Sequence, residues 1–326
     1  MKNNKNRTHW LPVLTLLILA PVIGELLSGS SPPAEYFQPM TFILLTMLYG
    51  TGALVIRETV QRWGGGWLSI LLLGFAYGIF EEGIVVHSFF DPTWGDLGIL
   101  ATYGRWLGVN WIWTAALTLF HGVMSISVPI ALTEMIFTKM KGDAWLGRRG
   151  YTLAIMLFFL NTVLAPWFVN QYSILGYAAS AAAMIVLFFA AHKLRAYNHL
   201  EKCSQYPRSG SILIAGFVMM FALIAGLWIL PALSIPWQAT FVYLCALPWL
   251  AIRWLRQRGV NNWGDDRVWS LCFGLLLPWL ILSVISELDN ANRPDDTSGM
   301  IITALIFCIF LIVLQFIARK KTKKKE

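Results

Sequence analysis

The chain has 326 residues, 57% of them hydrophobic and 13% charged, with a mean hydropathy of +0.62 and a formal net charge of +8. Soluble domains carry about 25% charged residues, so a water-soluble globular protein is excluded and an all-α polytopic membrane protein is expected. In that setting the positive charge bears on topology and lipid, and nucleic acid is not an expected partner.

Ten stretches approach the roughly 20 apolar residues that a helix needs to cross hydrocarbon. They are residues 10–28, 40–57, 67–88, 109–137, 151–170, 173–191, 211–230, 237–253, 267–287 and 299–318. The first follows MKNNKNR but outruns a signal-peptide core, carries Glu25 and lacks an A-x-A site, so it is expected to be a true span. The turn-rich GSSPPAEYFQP then interrupts the helical pattern, because adjacent prolines cannot continue a helix. If the N-terminus is cytoplasmic and the spans alternate, every Lys and Arg except Arg105 and Arg293 falls on the inner side. The positive-inside rule then predicts ten spans with both termini cytoplasmic.

The connection after His87 is long and aromatic. Trp94, Trp106, Trp111 and Trp113 suit an interfacial belt, or a re-entrant lid over the Glu81 region. The basic tail RKKTKKK is expected to lie against anionic lipid headgroups. Cys203, Cys245, Cys272 and Cys308 are scattered singly and read as reduced thiols, with no zinc site or disulfide framework. The whole chain reads as one membrane domain, a polar-site half over 1–170 and a mostly apolar scaffold half over 171–326. No internal repeat is visible.

The chemistry concentrates in the third and fourth spans. Glu81 and Glu82 interrupt the apolar run that begins at Trp67. Ionisable groups in hydrocarbon cost about 2.5–3.5 kcal/mol each even on the lenient insertion scale, so they face a bundle interior or a wet cavity. Gly74, Gly78 and Glu82 share a face at i, i+4 and i+8, a small-residue pattern that brings a neighbouring helix close. In the fourth span Thr114, Thr118, His121 and Ser125 form a polar stripe, followed by Ser127 and Pro129. Asn161 is a candidate in the fifth span, and Glu25 in the first lies at about the depth of Glu81. His87 can join only if its helix ends or bends before it. Arg57 and Glu58 read as a local pair at the inner end of the second span, and Glu134 as interfacial.

Such a group can act as general acid and base, bind a metal, or carry protons. The leading expectation is a membrane-embedded, peptidase-like hydrolase with Glu81, Glu82 and His121 as catalytic residues. Glu25, Thr118, Ser125 and Asn161 are then substrate-binding, with Asn161 as oxyanion donor. One divalent metal ion is a candidate cofactor, with His121 and Glu82 as its ligands. The alternatives are a proton-coupled small-molecule transporter and a non-catalytic scaffold whose buried charges specify helix pairing. Walker A, G-x-S-x-G, H-E-x-x-H and a strand-borne G-x-G-x-x-G are absent.

GELLSGSSPP, YGTGALVIRE, YGIFEEG, FFDPTWGDLG, NWIWT and FHGVMSISVP resemble a family of uncharacterised bacterial multi-pass membrane proteins, over about the first 150 residues. That likeness implies a bacterial plasma membrane and no particular activity. A fragmentary second similarity is to the CAAX-type and bacteriocin-processing intramembrane endopeptidases. These carry Glu-Glu-x-x-x-Arg, Phe-x-x-x-His and a later His with Asn or Asp. Glu81-Glu82 and His121 match, but Val86 stands for the arginine and Leu117 for the phenylalanine. No later intramembrane histidine follows, since His192 and His199 lie in a basic loop, which leaves Asn161.

Overall fold

The computed structural model describes residues 8–164, 174–196, 206–292 and 295–322, and within them each of the ten apolar stretches forms a helix; residues 165–170 of the fifth stretch and 173 of the sixth lie outside the described residues. The helices are α1 (Trp10–Leu26), α2 (Pro39–Trp63), α3 (Trp67–Val85), α4 (Trp111–Ile136), α5 (Arg148–Leu164), α6 (Ile174–Lys193), α7 (Ser209–Ala232), α8 (Trp237–Gln257), α9 (Asp265–Leu288) and α10 (Met300–Thr322). Seven of them, α2, α3, α4, α6, α7, α9 and α10, are long and apolar enough to cross a membrane, and α1 is a shorter apolar helix. The chain is a multi-pass, all-α membrane protein. The count of ten spans and the side on which the termini lie rest on the charge pattern. The N-terminal Lys2, Lys5 and Arg7, His199, Lys202, Cys203, Arg293 and the end of the basic tail lie outside the described residues.

Burial grades the helices by position. In their apolar stretches α3 and α4 are 67% and 61% buried, against 17% for α6 and 28% for α10. The first pair is therefore central and the second presents mostly lipid-facing surface. α4 separates two apolar cores. Ile126 and Ile130 pack with Leu16, Leu54 and Tyr77 from α1–α3. Phe120, Met124, Val128 and Leu132 pack instead with residues of α7, α9 and α10. α6, which follows the polar half in sequence, packs back onto it: Ser69 of α3 donates to the Ala191 carbonyl at 2.9 Å, and a Cβ on Gly83 would stand 2.7 Å from the Ser180 hydroxyl.

The helix ends follow local chemistry. α2 stops at Gly64, whose φ of +66° closes the last turn in the left-handed region. The Asn110 side chain caps α4 by accepting from the Trp113 amide at 2.9 Å. Between α3 and α4 the aromatic connection is a packed cap. Leu97 and Leu100 are buried in it, and a two-residue hairpin pairs β1 (Arg105–Trp106) with β2 (Val109–Asn110). Arg105 ties the cap together through the carbonyls of Phe90, Asp91, Ala101 and Gly108. Tyr103 anchors it to the α7–α8 turn by donating to the Ile235 carbonyl at 2.7 Å.

At the inner end of α2, Arg57 and Glu58 form the expected pair at 2.9 Å, yet both are fully buried. Arg57 also reaches Glu134 at 3.3 Å, lies 3.7 Å over the Trp145 ring and donates to the carbonyls of Met140, Lys141 and Asp143. Glu58 accepts from the amides of Trp145 and Leu146 and from Arg62. Glu134, expected at the interface, is thus buried in an ion cluster that pins the α4–α5 connection to α2.

Candidate functional site

Four π-helical turns surround one spot. They span Val22–Leu26 in α1, Thr46–Gly50 in α2, Glu81–Val85 in α3 and His121–Ser127 in α4. Each carries a polar residue of the candidate site: Glu25, Tyr49, the Glu81–Glu82 pair, and His121 with Ser125. A π turn inserts a residue into the helical repeat and re-aims the side chains after it, which is why such turns gather at functional sites. The α4 turn sits just before Pro129, whose missing N–H already interrupts the hydrogen-bond ladder. Ser127 satisfies one freed carbonyl by donating to Gly122 at 2.7 Å.

The glycine face of α3 brings the two central helices together as its spacing predicts. A Cβ on Gly74 would meet the Gly122 backbone at 2.9 Å, and one on Gly78 would meet the His121 Cβ and the Thr118 Cα at 3.1 Å. One turn further on, Glu82 reaches His121. Its Oε1 lies 2.8 Å from Nε2, while Glu81 Oε2 lies 3.1 Å from Nδ1. The imidazole is therefore bracketed by carboxylates at both nitrogens, and Ser125 Oγ is 3.0 Å from Nδ1 as well. All three ionisable groups are buried. Each buried carboxylate thereby has an imidazole nitrogen as its partner.

Outer partners hold this group in place. Ser88 donates to Glu82 Oε2, and Trp113 Nε1 donates to Ser88 Oγ at 2.9 Å. Glu25 is partly accessible, accepts from the Tyr49 hydroxyl and takes a 2.8 Å hydrogen bond from Ser31. The rings of Tyr49 and Tyr77 stand 6.0 and 6.1 Å from the His121 ring. Glu25 lies within Coulombic range of Glu82 and His121, and Tyr77 within that of Glu81. The Tyr77 hydroxyl is buried against Glu81.

Not every candidate joins this group. Thr118 lines a cavity of about 320 Å³ between α4 and α8 with Thr114, Trp111 and Phe241. Asn161 is buried one turn beyond Phe158, whose ring packs on Phe80 at 4.7 Å. No hydrogen bond joins its amide to the cluster among the described residues. His87 does lie past the end of α3, in the left-handed region at φ +62°, and its Nε2 meets the Tyr177 hydroxyl of α6. Tyr49, Tyr77, Ser88 and Trp113 were not singled out from sequence as site residues. The available signal was Tyr49-Gly50-x-Gly52, since Cβ atoms on these glycines would stand 2.5 Å from the Leu17 carbonyl and the Tyr77 ring. Nothing in the local pattern around Ser88 relates it to Glu82.

Glu81, Glu82 and His121 each offer a ligand atom, and all three atoms lie within 4.8 Å of one another. Two oxygens and a nitrogen from three protein groups is the composition of an open divalent-metal site. The carboxylates meet different ring nitrogens, and an ion takes only one of them, so a side chain must turn before all three groups can hold one ion.

A family model described as an uncharacterized membrane protein family matches residues 14–325. The chain belongs to that family. The match extends the expected likeness from the first 150 residues to nearly the whole length. Neither the comparison with curated proteins nor that with solved structures gives a match.

Proposed function

We propose that the Glu81–Glu82–His121 cluster is the reaction centre of a membrane-embedded, peptidase-like hydrolase. The observation that carries this reading is His121 held between two buried carboxylates, Glu82 at Nε2 and Glu81 at Nδ1. Glu81 takes a proton from water as the water oxygen bonds to the substrate carbonyl carbon. The same proton passes to the leaving nitrogen or oxygen as the scissile bond breaks, which returns Glu81 to its carboxylate form. Glu82 orients His121, and Ser88 and Trp113 orient Glu82. The Tyr77 hydroxyl, beside Glu81, is better placed than Asn161 to donate to the developing oxyanion. A divalent ion held by Glu82 and His121, with Glu81 alongside, would supply Lewis-acid polarisation of the carbonyl.

Hydrolysis is favoured over proton-coupled transport by the floor of the site. Inward from Ser125, α4 buries Ile126 and Ile130 against Leu16 and Leu54, and the Arg57–Glu58–Glu134 cluster ties the inner end together. A transporter needs polarity leading to both faces.

The test compares membranes containing the wild-type protein with membranes containing Glu81→Gln, Glu82→Gln or His121→Ala, each checked for intact thermal unfolding. Peptide and acyl fragments released over time are read by mass spectrometry. Products that appear with the wild type and vanish in all three variants are expected. Identical product profiles in all four samples overturn the hydrolase, and flux in proteoliposomes that follows an imposed pH gradient moves the same residues to transport.

A further inference from the structure

The face of α4 opposite His121 lines a second feature. Between α3, α4, α7, α8 and α9 lies a cavity of about 1030 Å³. Its long wall is apolar and includes Phe75, Leu119, Val123, Val218 and Leu247. It differs at one end, where Lys141 and Arg253 stand with Gln61 and Asn261 beside Trp67, Trp254 and Trp263. Glu134 also lines that end, but it is paired with Arg57, so the two cations set the sign of the mouth. Both Lys141 and Arg253 are exposed. The smaller cavity lined by Trp111, Thr118 and Phe241 shares Leu119 and Pro248 with the large one and extends it along α4 and α8. The positive-inside pattern puts the cationic end at the cytoplasmic leaflet.

An elongated apolar groove with cations and tryptophans only at its headgroup end matches an amphiphile with a negative head and a long tail. Basic pockets between membrane helices on the cytoplasmic side bind acidic lipid headgroups for the same reason, and tryptophan favours that depth. We infer that this groove binds one anionic phospholipid of the inner leaflet, with its phosphate between Lys141 and Arg253 and an acyl chain lying along α4. The site is separate from Glu81, Glu82 and His121 and stands whether or not they catalyse hydrolysis.

The experiment uses the full-length protein in nanodiscs of equimolar phosphatidylglycerol and phosphatidylcholine, extracted into mild detergent. Retained lipid is counted by native mass spectrometry. The wild type is expected to keep phosphatidylglycerol in preference to phosphatidylcholine. The Lys141→Ala/Arg253→Ala double variant, altered only at exposed positions, should lose that preference at least about fivefold. Val123→Trp, which fills the groove, should lose retention of both lipids. A wild type without headgroup preference, or a preference unchanged in the double variant, overturns the proposal even if Val123→Trp fails to fold.

Discussion

Gly74 and Gly122 meet backbone to backbone, and this contact sets the reach between Glu82 and His121. A side chain on either glycine forces α3 and α4 apart, since a Cβ on Gly122 would stand 2.3 Å from the Phe75 ring. Gly122→Ala is expected to lower stability by about 1–3 kcal/mol through overpacking. Gly142→Ala, which meets nothing within 4 Å, should stay within about 0.5 kcal/mol. Thermal unfolding of the two variants in one detergent checks the pair, and equal losses would show that the close approach is not what orders the helices.

The chain from Trp113 through Ser88 to Glu82 should behave as one unit. Ser88→Ala removes both hydrogen bonds, and Trp113→Phe removes the outer one. A buried carboxylate that loses a donor costs about 1–3 kcal/mol. In a double-mutant cycle the combined loss should be smaller than the sum of the single losses. Strict additivity would mean that Ser88 and Trp113 act separately.

Removing Arg57 leaves Glu58 and Glu134 buried without their shared cation. Arg57→Ala is expected to cost about 3–5 kcal/mol, as for other broken buried pairs. Arg62, whose side chain is 30% exposed, should cost about 1 kcal/mol or less on truncation, because water screens and replaces its contact. Denaturation midpoints for the two variants give the comparison, and similar midpoints would remove the ion cluster from the account of the inner end.

If Glu81, Glu82 and His121 hold a divalent ion, that ion stabilises the folded protein by mass action. At an ion concentration about 100 times the dissociation constant, the gain is about 2.7 kcal/mol. Titrating zinc or manganese should raise the unfolding temperature of the wild type and leave His121→Ala unmoved. A rise of the same size in both proteins would place the ion elsewhere.

Tyr77→Phe separates catalysis from packing. The Tyr77 hydroxyl lies against Glu81, so its removal should lower stability by about 1–3 kcal/mol at most. As an oxyanion donor it should nonetheless cost roughly 100- to 1000-fold in turnover. Full product formation by the variant, read in the fragment assay, would remove Tyr77 from the mechanism.

Much of this was legible along the chain. Apolar run lengths located all ten helices, because a span must satisfy its own backbone within hydrocarbon. The insertion cost of Glu81 and Glu82 marked a site, and the Gly74–Gly78–Glu82 spacing marked the face that meets α4. The burial of Arg57 was not legible, since its partners Glu134 and the 140–143 carbonyls lie more than 75 residues away. Thr118 and His121 read as one stripe, yet Thr118 lines the α4–α8 cavity while His121 and Ser125 sit in the π turn at the cluster.

By itself the sequence determined the membrane class, the helix positions and which residues are too costly to leave in lipid. These follow from transfer free energies and helical periodicity, which act over a few turns. Only the tertiary structure decided that both nitrogens of His121 meet carboxylates, that Ser88 returns to Glu82, and that a charged-mouthed groove runs behind the site. Those depend on π turns, crossing points and chain reversals, where a shift of one residue re-aims a side chain and no local pattern records the partner.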